Sequence, residues 1–209
     1  MKRFTTTASA QYAHRDRGHS REQRVRQYLA LVIMMVVLPR IPVLQAQQPK
    51  VSEYQVKATY LYNFGRFVQW PTTVSAAKGD SFPICVIGQD PFGPDLDAIL
   101  TGEIIDGKAV VAKRVSKPQD AVSCRILYIS SSEESRLKEV LAALDKAEVL
   151  TVSDMPDFSR RGGMIQFVLK EGRVRFEINL TSAEAARLIV SADLLKVASN
   201  VRKNGPLGD

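Results

Sequence analysis

"RILYISSSEESRLKEVLAALDKAEVLTVSD", Arg125 to Asp154, holds two short apolar runs on either side of a helix-like stretch. "RILYISS" (125–131) and "EVLTVSD" (148–154) are apolar without alternation, the mark of strands buried on both faces. Between them "EESRLKEVLAAL" (133–144) puts Leu137, Val140, Leu141 and Leu144 on one helical stripe, a face that must pack on something. Strand, crossover helix and strand predict two parallel neighbours in one sheet. That unit decides the fold class.

Upstream, "FPICVIG" (82–88) is a third run of the buried kind, closed by Gly88. "DPFGPDLDAIL" turns through Pro and Gly into a helix, and "EIIDGKAVVAKRV" (103–115) carries β-branched residues around Asp106-Gly107. In "SEYQVKATYLYNFGRFVQ" (52–69), Val56, Tyr60, Leu61, Phe64, Phe67 and Val68 recur at helical spacing. Pro71 forbids continuation, so the helix ends near Trp70. Downstream, "GGMIQFVLKEGRVRFEINLTSAEAARL" (162–188) reads as a hairpin around Glu171-Gly172 running into a helix, with "SAEAARLIVSADLLKVA" (182–198) helical. The expectation is an α/β fold: a mostly parallel sheet, crossover helices on both faces, and a C-terminal antiparallel hairpin plus helix. With no repeat or linker, residues 47–209 read as a single domain, inside the usual size range.

The chain of 209 residues is 45% hydrophobic with a formal charge of +7, which invites a nucleic-acid partner. The location of the charge removes that reading. Of 29 basic and 22 acidic residues, eight and two fall in residues 1–46, leaving 21 and 20 in the remainder. The basic stretch precedes an apolar run, "YLALVIMMVVL" (28–38), then Pro39 and the small-residue site "VLQA". Basic, apolar, small is the layout of a secretory signal, with cleavage after Ala46. An uncleaved anchor or a core helix is the other reading. The expectation is a signal peptide over 1–46 and an exported, periplasmic remainder with no nucleic-acid partner. Both histidines, His14 and His19, lie in the removed segment. A mature chain without histidine excludes Ser-His-Asp triads and the usual histidine-containing metal sites, so neither a metal nor another cofactor is expected.

Cys85 lies in one apolar strand and Cys124 just before the next. Sequential strands are usually neighbours, and in an oxidising compartment an even pair favours a disulfide; two buried thiols are the alternative. "SRLK" (135–138) has the Ser-x-x-Lys form of acyl-transferring enzymes without its companion motifs, while Ser131 and Glu134 read as a capping box at the same helix start. Asp154 and Asp157 beside Ser153 suit turn and cap chemistry better than carboxylate catalysis. No residue is assigned a catalytic role. Arg173, Arg175, Glu177 and Asn179 fall at spacing two and project to one face of a strand, opposite Val174, Phe176 and Ile178. A solvated sheet face reads the same way. The functional reading is a site for a carboxylate ligand or an acidic partner, with Arg66 and Trp70 as further candidates.

"VKATYLYNFGRFVQWP", "ICVIGQDPFG", "CRILYISSSE", "VLTVSDMPDF", "GGMIQF", "VRFEIN" and "SADLLKVA" follow one another in an order that resembles the YfiR-like family, across about residues 53–200. The resemblance implies a mixed α/β fold, often a homodimer. It implies a periplasmic repressor of a membrane-bound diguanylate cyclase, hence cyclic-di-GMP signalling and biofilm regulation. An outer-membrane lipoprotein relieves that repression, and related domains accompany sensor kinases and other receptors. Cys85 and Cys124 match the family's common cysteine pair. A second disulfide known in the family has no counterpart, because no cysteine follows "VLTVSD". The expected function is therefore a non-catalytic regulator that binds and represses the periplasmic part of a signalling enzyme. The alternative is a small-molecule-binding sensor module that reports to a receptor or kinase.

Overall fold

The computed structural model of the chain describes residues 25–29, 52–71 and 80–203. Contacts divide the chain into two units, Met1–Gln48 and Pro49–Asp209. In the first, residues 25–29 form an exposed helical turn; the expected signal segment and its cleavage point otherwise lie outside the described residues. Among the described residues no helix is long and apolar enough to cross a membrane.

The second unit starts with helix α1 (Glu53–Phe67), opened by a capping box in which Ser52 and Gln55 satisfy each other's backbone N–H. The chain continues through β1 (Val68–Gln69), β2 (Ser81–Ile87), α2 (Pro94–Leu100), β3 (Ile104–Ile105) and β4 (Lys108–Val115). After a 3-10 turn come β5 (Ile126–Ile129), a second 3-10 turn, α3 (Leu137–Ala143) and β6 (Leu150–Ser153). The C-terminal part holds β7 (Ile165–Lys170), β8 (Arg173–Asn179), α4 (Leu180–Ala185), β9 (Ile189–Val190), α5 (Ala192–Val197) and β10 (Asn200–Arg202).

Eight strands form one sheet in the order β10-β8-β7-β6-β5-β2-β4-β3. Pairing is parallel from β4 through β2, β5 and β6 to β7, and antiparallel at β7–β8 and β3–β4. The expected class holds. The alternation of each strand splits the core into two layers. Ile84, Val86, Ile126, Tyr128, Phe167 and Phe176 face a layer closed by α1 and α2. Cys85, Ile87, Leu127 and Ile129 face a second layer closed by Leu137 and Val140 of α3. The disulfide Cys85–Cys124 forms in this second layer, with Cα atoms 6.0 Å apart and a sequence separation of 39. Closing such a loop is worth about 4 kcal/mol in the chain-entropy account.

Three local expectations shift. The stripe of α1 is rotated: Lys57, Ala58, Leu61, Phe64 and Gly65 are buried, whereas Phe67 is 39% exposed. Lysine reads as solvated in a pattern count, but here its charge meets Asp154. The helix after β5 starts as a 3-10 turn capped by Ser130, which accepts from Ser132 N–H, so the cap lies one residue before the expected Ser131. Finally, residues 182–198 are not one helix. Arg187 takes a left-handed φ of 61°, Ile189 and Val190 pair antiparallel with Gln69 and Val68, and Ser191 caps a new helix. Tertiary pairing overrides the helical pattern of that stretch.

Candidate functional site

The hairpin β7–β8 is turned by Glu171 (φ 53°) and Gly172 (φ 69°), both left-handed as a two-residue turn matched to strand twist requires. Its register pairs Lys170 with Arg173, Val168 with Arg175 and Gln166 with Glu177. Lys170, Arg173 and Arg175 therefore stand on one face of the hairpin tip, and all three are exposed. Among the described residues none of their charged groups has an ion-pair partner. On the other face Phe167 and Phe176 lock the strands beneath Tyr60 and Phe64 of α1, with ring centroids 5.1–6.0 Å apart. The cations sit on a rigid support.

Further along β8 the ladder leaves the surface. Glu177 is half-buried and Asn179 is buried. Asn179 Oδ1 accepts from Ser182 N–H at 3.1 Å, capping α4, and its Nδ2 donates to the Ser159 carbonyl at 2.7 Å. Gln166 Oε1 accepts from both N–H and Oγ of Ser159. The loop over residues 154–164 is thus tied down by buried hydrogen bonds that join Ser159 to Gln166 and Asn179. Asn179 holds the fold together beneath the ladder's exposed end.

The remaining candidates lie apart from the hairpin tip. The Trp70 indole meets Phe82 edge-on at 5.3 Å and donates from Nε1 to the Glu148 carbonyl at 3.1 Å. That places it at the N-terminal ends of β2 and β6, whereas the register carries β7 and β8 beyond the C-terminal end of β6. Arg66 is exposed, 5.9 Å from the Tyr62 ring. What sequence reading missed is Lys170, legible once the hairpin register is drawn, and a cleft beside the tip. This cleft, of about 580 Å³, lies between Val56 and Tyr60 of α1 and Leu169, Val174 and the Arg173–Arg175 segment. Leu169 is 59% exposed there.

The other place to look is the crevice between β2 and β5. Their order places the reversal of sheet winding there, the usual ligand site of open α/β sheets. It is closed. Gln89 N–H donates to Ser132 Oγ at 2.9 Å across the two loops, and Gly88 (φ +88°) comes so close that a Cβ would lie 2.5 Å from that oxygen. Behind it Tyr54, Phe92 and Tyr128 stack edge to face, with centroids 5.6 and 4.7 Å apart.

Asp154, at the end of β6, accepts from Lys57 Nζ at 2.7 Å and from Tyr54 Oη at 3.2 Å. Burial pulls the Lys57 ammonium down, but hydrogen bonds to Asp154 and Glu53 outweigh it and hold its pKa above the ordinary lysine value. Burial, reinforced by the Asp154 charge, raises the phenols of Tyr54 and Tyr128. Each group is stabilised in its resting protonation state, which suits a structural latch better than proton transfer at neutral pH. Ser153 Oγ is likewise engaged, donating to the Ile129 carbonyl at 2.7 Å. Among the described residues no cluster of side chains could hold a metal ion.

A family model described as YfiR/HmsC-like matches residues 54–199. The chain belongs to the YfiR/HmsC-like family. Among curated proteins none matches it. Of solved structures, it is similar to an ABC domain in complex with L-Trp from Streptococcus pneumonia, at 11% identity and a TM-score of 0.49, covering 69% of this chain and 60% of that one. It is also similar to a conserved domain protein from Vibrio cholerae O1 biovar El Tor, at 14% identity and a TM-score of 0.45, covering 62% of this chain and 59% of that one. The chain thus spans about three fifths of the length of either structure.

Proposed function

We propose that this YfiR/HmsC-like chain is an exported regulatory protein that binds the periplasmic part of a membrane-bound signalling enzyme, a diguanylate cyclase, and holds it inactive. The observation that carries the reading is the trio Lys170, Arg173 and Arg175, exposed and, among the described residues, without ion-pair partners on an aromatic-backed hairpin. Charged groups held on a rigid strand lose little entropy on docking, and arginine binds carboxylates through two parallel hydrogen bonds. Family membership supports the regulatory role. The hydrogen bond that bridges the loops of the usual ligand crevice supports recognition at the sheet edge.

The test is the double substitution Arg173→Ala/Arg175→Ala, read as cyclic-di-GMP output of cells carrying the cyclase and as binding to its periplasmic domain. Loss of the charge-assisted hydrogen bonds of one arginine costs about 2 kcal/mol, some thirtyfold in affinity. Exposed substitutions of this kind leave stability nearly unchanged. Lost repression with an unaltered melting temperature is the expected result; full repression by a folded double variant overturns the assignment of this surface. A second reading, a sensor of small anionic ligands, draws on the cleft beside the same arginines. A metabolite that raised the melting temperature through the cleft, by mass action on the native state, would favour it.

A further inference from the structure

The outer edge of β8 is only partly covered. Strand β10 pairs with it from Glu177 onward, and Ser199 N–H and Oγ both bond the Phe176 carbonyl at 2.8 Å. Backbone groups of an antiparallel strand alternate between its two sides. Asn179 N–H bonds the Met164 carbonyl at 2.7 Å, so Arg173, Arg175, Glu177 and Asn179 turn their backbone groups inward to β7. Phe176 and Val174 turn theirs outward. Phe176 is engaged by Ser199; at Val174 the register shows no strand partner among the described residues. An open strand edge is a template for another extended chain.

We infer that this edge accepts an extended segment of the partner with the pattern acidic–apolar–acidic, added as a short extra strand at Val174. The proposal deepens the reading of the hairpin as a recognition surface and rests on it. Residues opposite one another across a strand pair share a face. A residue opposite Val174 therefore faces the cleft of Val56, Tyr60 and Leu169, which suits an apolar side chain. Its two neighbours face Arg173 and Arg175, which suits carboxylates.

Two features select this occupant. Lys170 and Arg173 are directly opposite in the register, a like-charge pair that weakens a hairpin unless an anion lies between the charges. The cleft's own carboxylate, Glu53, is engaged by Lys57 Nζ at 2.6 Å, so the cations are not neutralised from that side. A second copy of the chain is the obvious competitor for an open edge. Two-fold pairing about Val174 would set Arg173 of each copy against Arg175 of the other, two like-charge pairs at once. The edge repels itself and attracts an acidic strand.

The experiment uses the purified protein and fluorescent ten-residue peptides with Glu-Val-Glu at the centre. Controls carry Lys-Val-Lys, or Glu-Val-Glu with the central valine N-methylated to remove its N–H. Anisotropy should show at least tenfold tighter binding of the acidic peptide than of the basic one, and a severalfold loss on N-methylation. Arg173→Glu/Arg175→Glu, checked for an unchanged melting temperature, should reverse the charge preference. Amide shifts should centre on Gly172 to Arg175. Equal binding of acidic and basic peptides, indifference to N-methylation, or no binding up to millimolar peptide each overturns the proposal. So does a homodimer, seen by sedimentation, that Val174→Pro disperses. No signalling enzyme is present in this assay, so its failure sinks strand addition alone, and the repression assay tests the function separately.

Discussion

Asn179 separates the part of the polar ladder that holds the fold from the part exposed at the hairpin tip. In Asn179→Ala the cap on α4 is lost, which costs about 1 kcal/mol. The Ser159 carbonyl, in a residue only 1% exposed, loses its 2.7 Å donor. Leaving a buried acceptor unpaired costs about 1–3 kcal/mol, so the total is about 3 kcal/mol. In urea that moves the midpoint by about 1.5 M for a slope near 2 kcal/mol/M, and the melting temperature by about 6–12 °C for a domain of this size. Asn179→Ser separates the two bonds: serine still accepts from Ser182 N–H but cannot reach Ser159, so about two thirds of the loss should remain. Arg175→Ala in the same experiment should shift the midpoint by less than the equivalent of about 0.5 kcal/mol. The reasoning fails if Asn179→Ala keeps wild-type stability yet loses partner binding. Asn179 would then belong to the recognition surface and not to its foundation.

Two further outcomes follow from the buried links. Peptide mapping of protein from a periplasmic fraction should recover Cys85 joined to Cys124 and a new N-terminus near Gln47; Cys85→Ser should cost about 4 kcal/mol, and two alkylatable thiols in the native protein would refute the link. Lys57→Met leaves Asp154 without its buried partner and should cost about 3–5 kcal/mol at neutral pH. Because the Lys57 pKa is raised in the fold, its contribution is complete below the ordinary value of 10.5 and lost as pH climbs through the folded value. The raised Tyr54 and Tyr128 phenols act with the same sign, so the check is the difference between wild type and Lys57→Met in urea midpoints taken from pH 8 upward. That difference should shrink only in the alkaline range; a difference independent of pH would refute the assignment.

The parallel core was legible because its strands are buried on both faces and so carry unbroken apolar runs. The β3–β4 and β7–β8 hairpins were legible from Asp106-Gly107 and Glu171-Gly172, where the turn demands left-handed backbone. What escaped depends on partners distant in sequence. Ile189 and Val190 leave the helical pattern because Val68 and Gln69 offer them a strand. Lys57 turns inward only because Asp154 lies 97 residues away to receive it. Asn179 looked like one more polar residue at spacing two, since nothing local says that a loop carbonyl at Ser159 waits above it. Arg173 and Arg175 kept the orientation their alternation implied, because the tip of a hairpin has no further layer to bury it.

The proposed recognition at the sheet edge fits what fills the centre. In a doubly wound sheet the loops after the two central strands diverge and leave a crevice for a ligand. Here Gln89 and Ser132 join those loops, the Tyr54, Phe92 and Tyr128 rings occupy the space behind them, and α1 pins Lys57 onto Asp154. The same helix that plugs the crevice also forms one wall of the hairpin cleft through Val56 and Tyr60. Anything that shifts α1 must therefore disturb the latch and the cleft together. A partner that grips the hairpin as proposed would be coupled through α1 to the core of the sheet, and Lys57→Met should then weaken partner binding even though Lys57 is buried away from the surface. Binding by Lys57→Met that equals wild type, measured where the variant is fully folded, would show that the cleft stands independently of the latch.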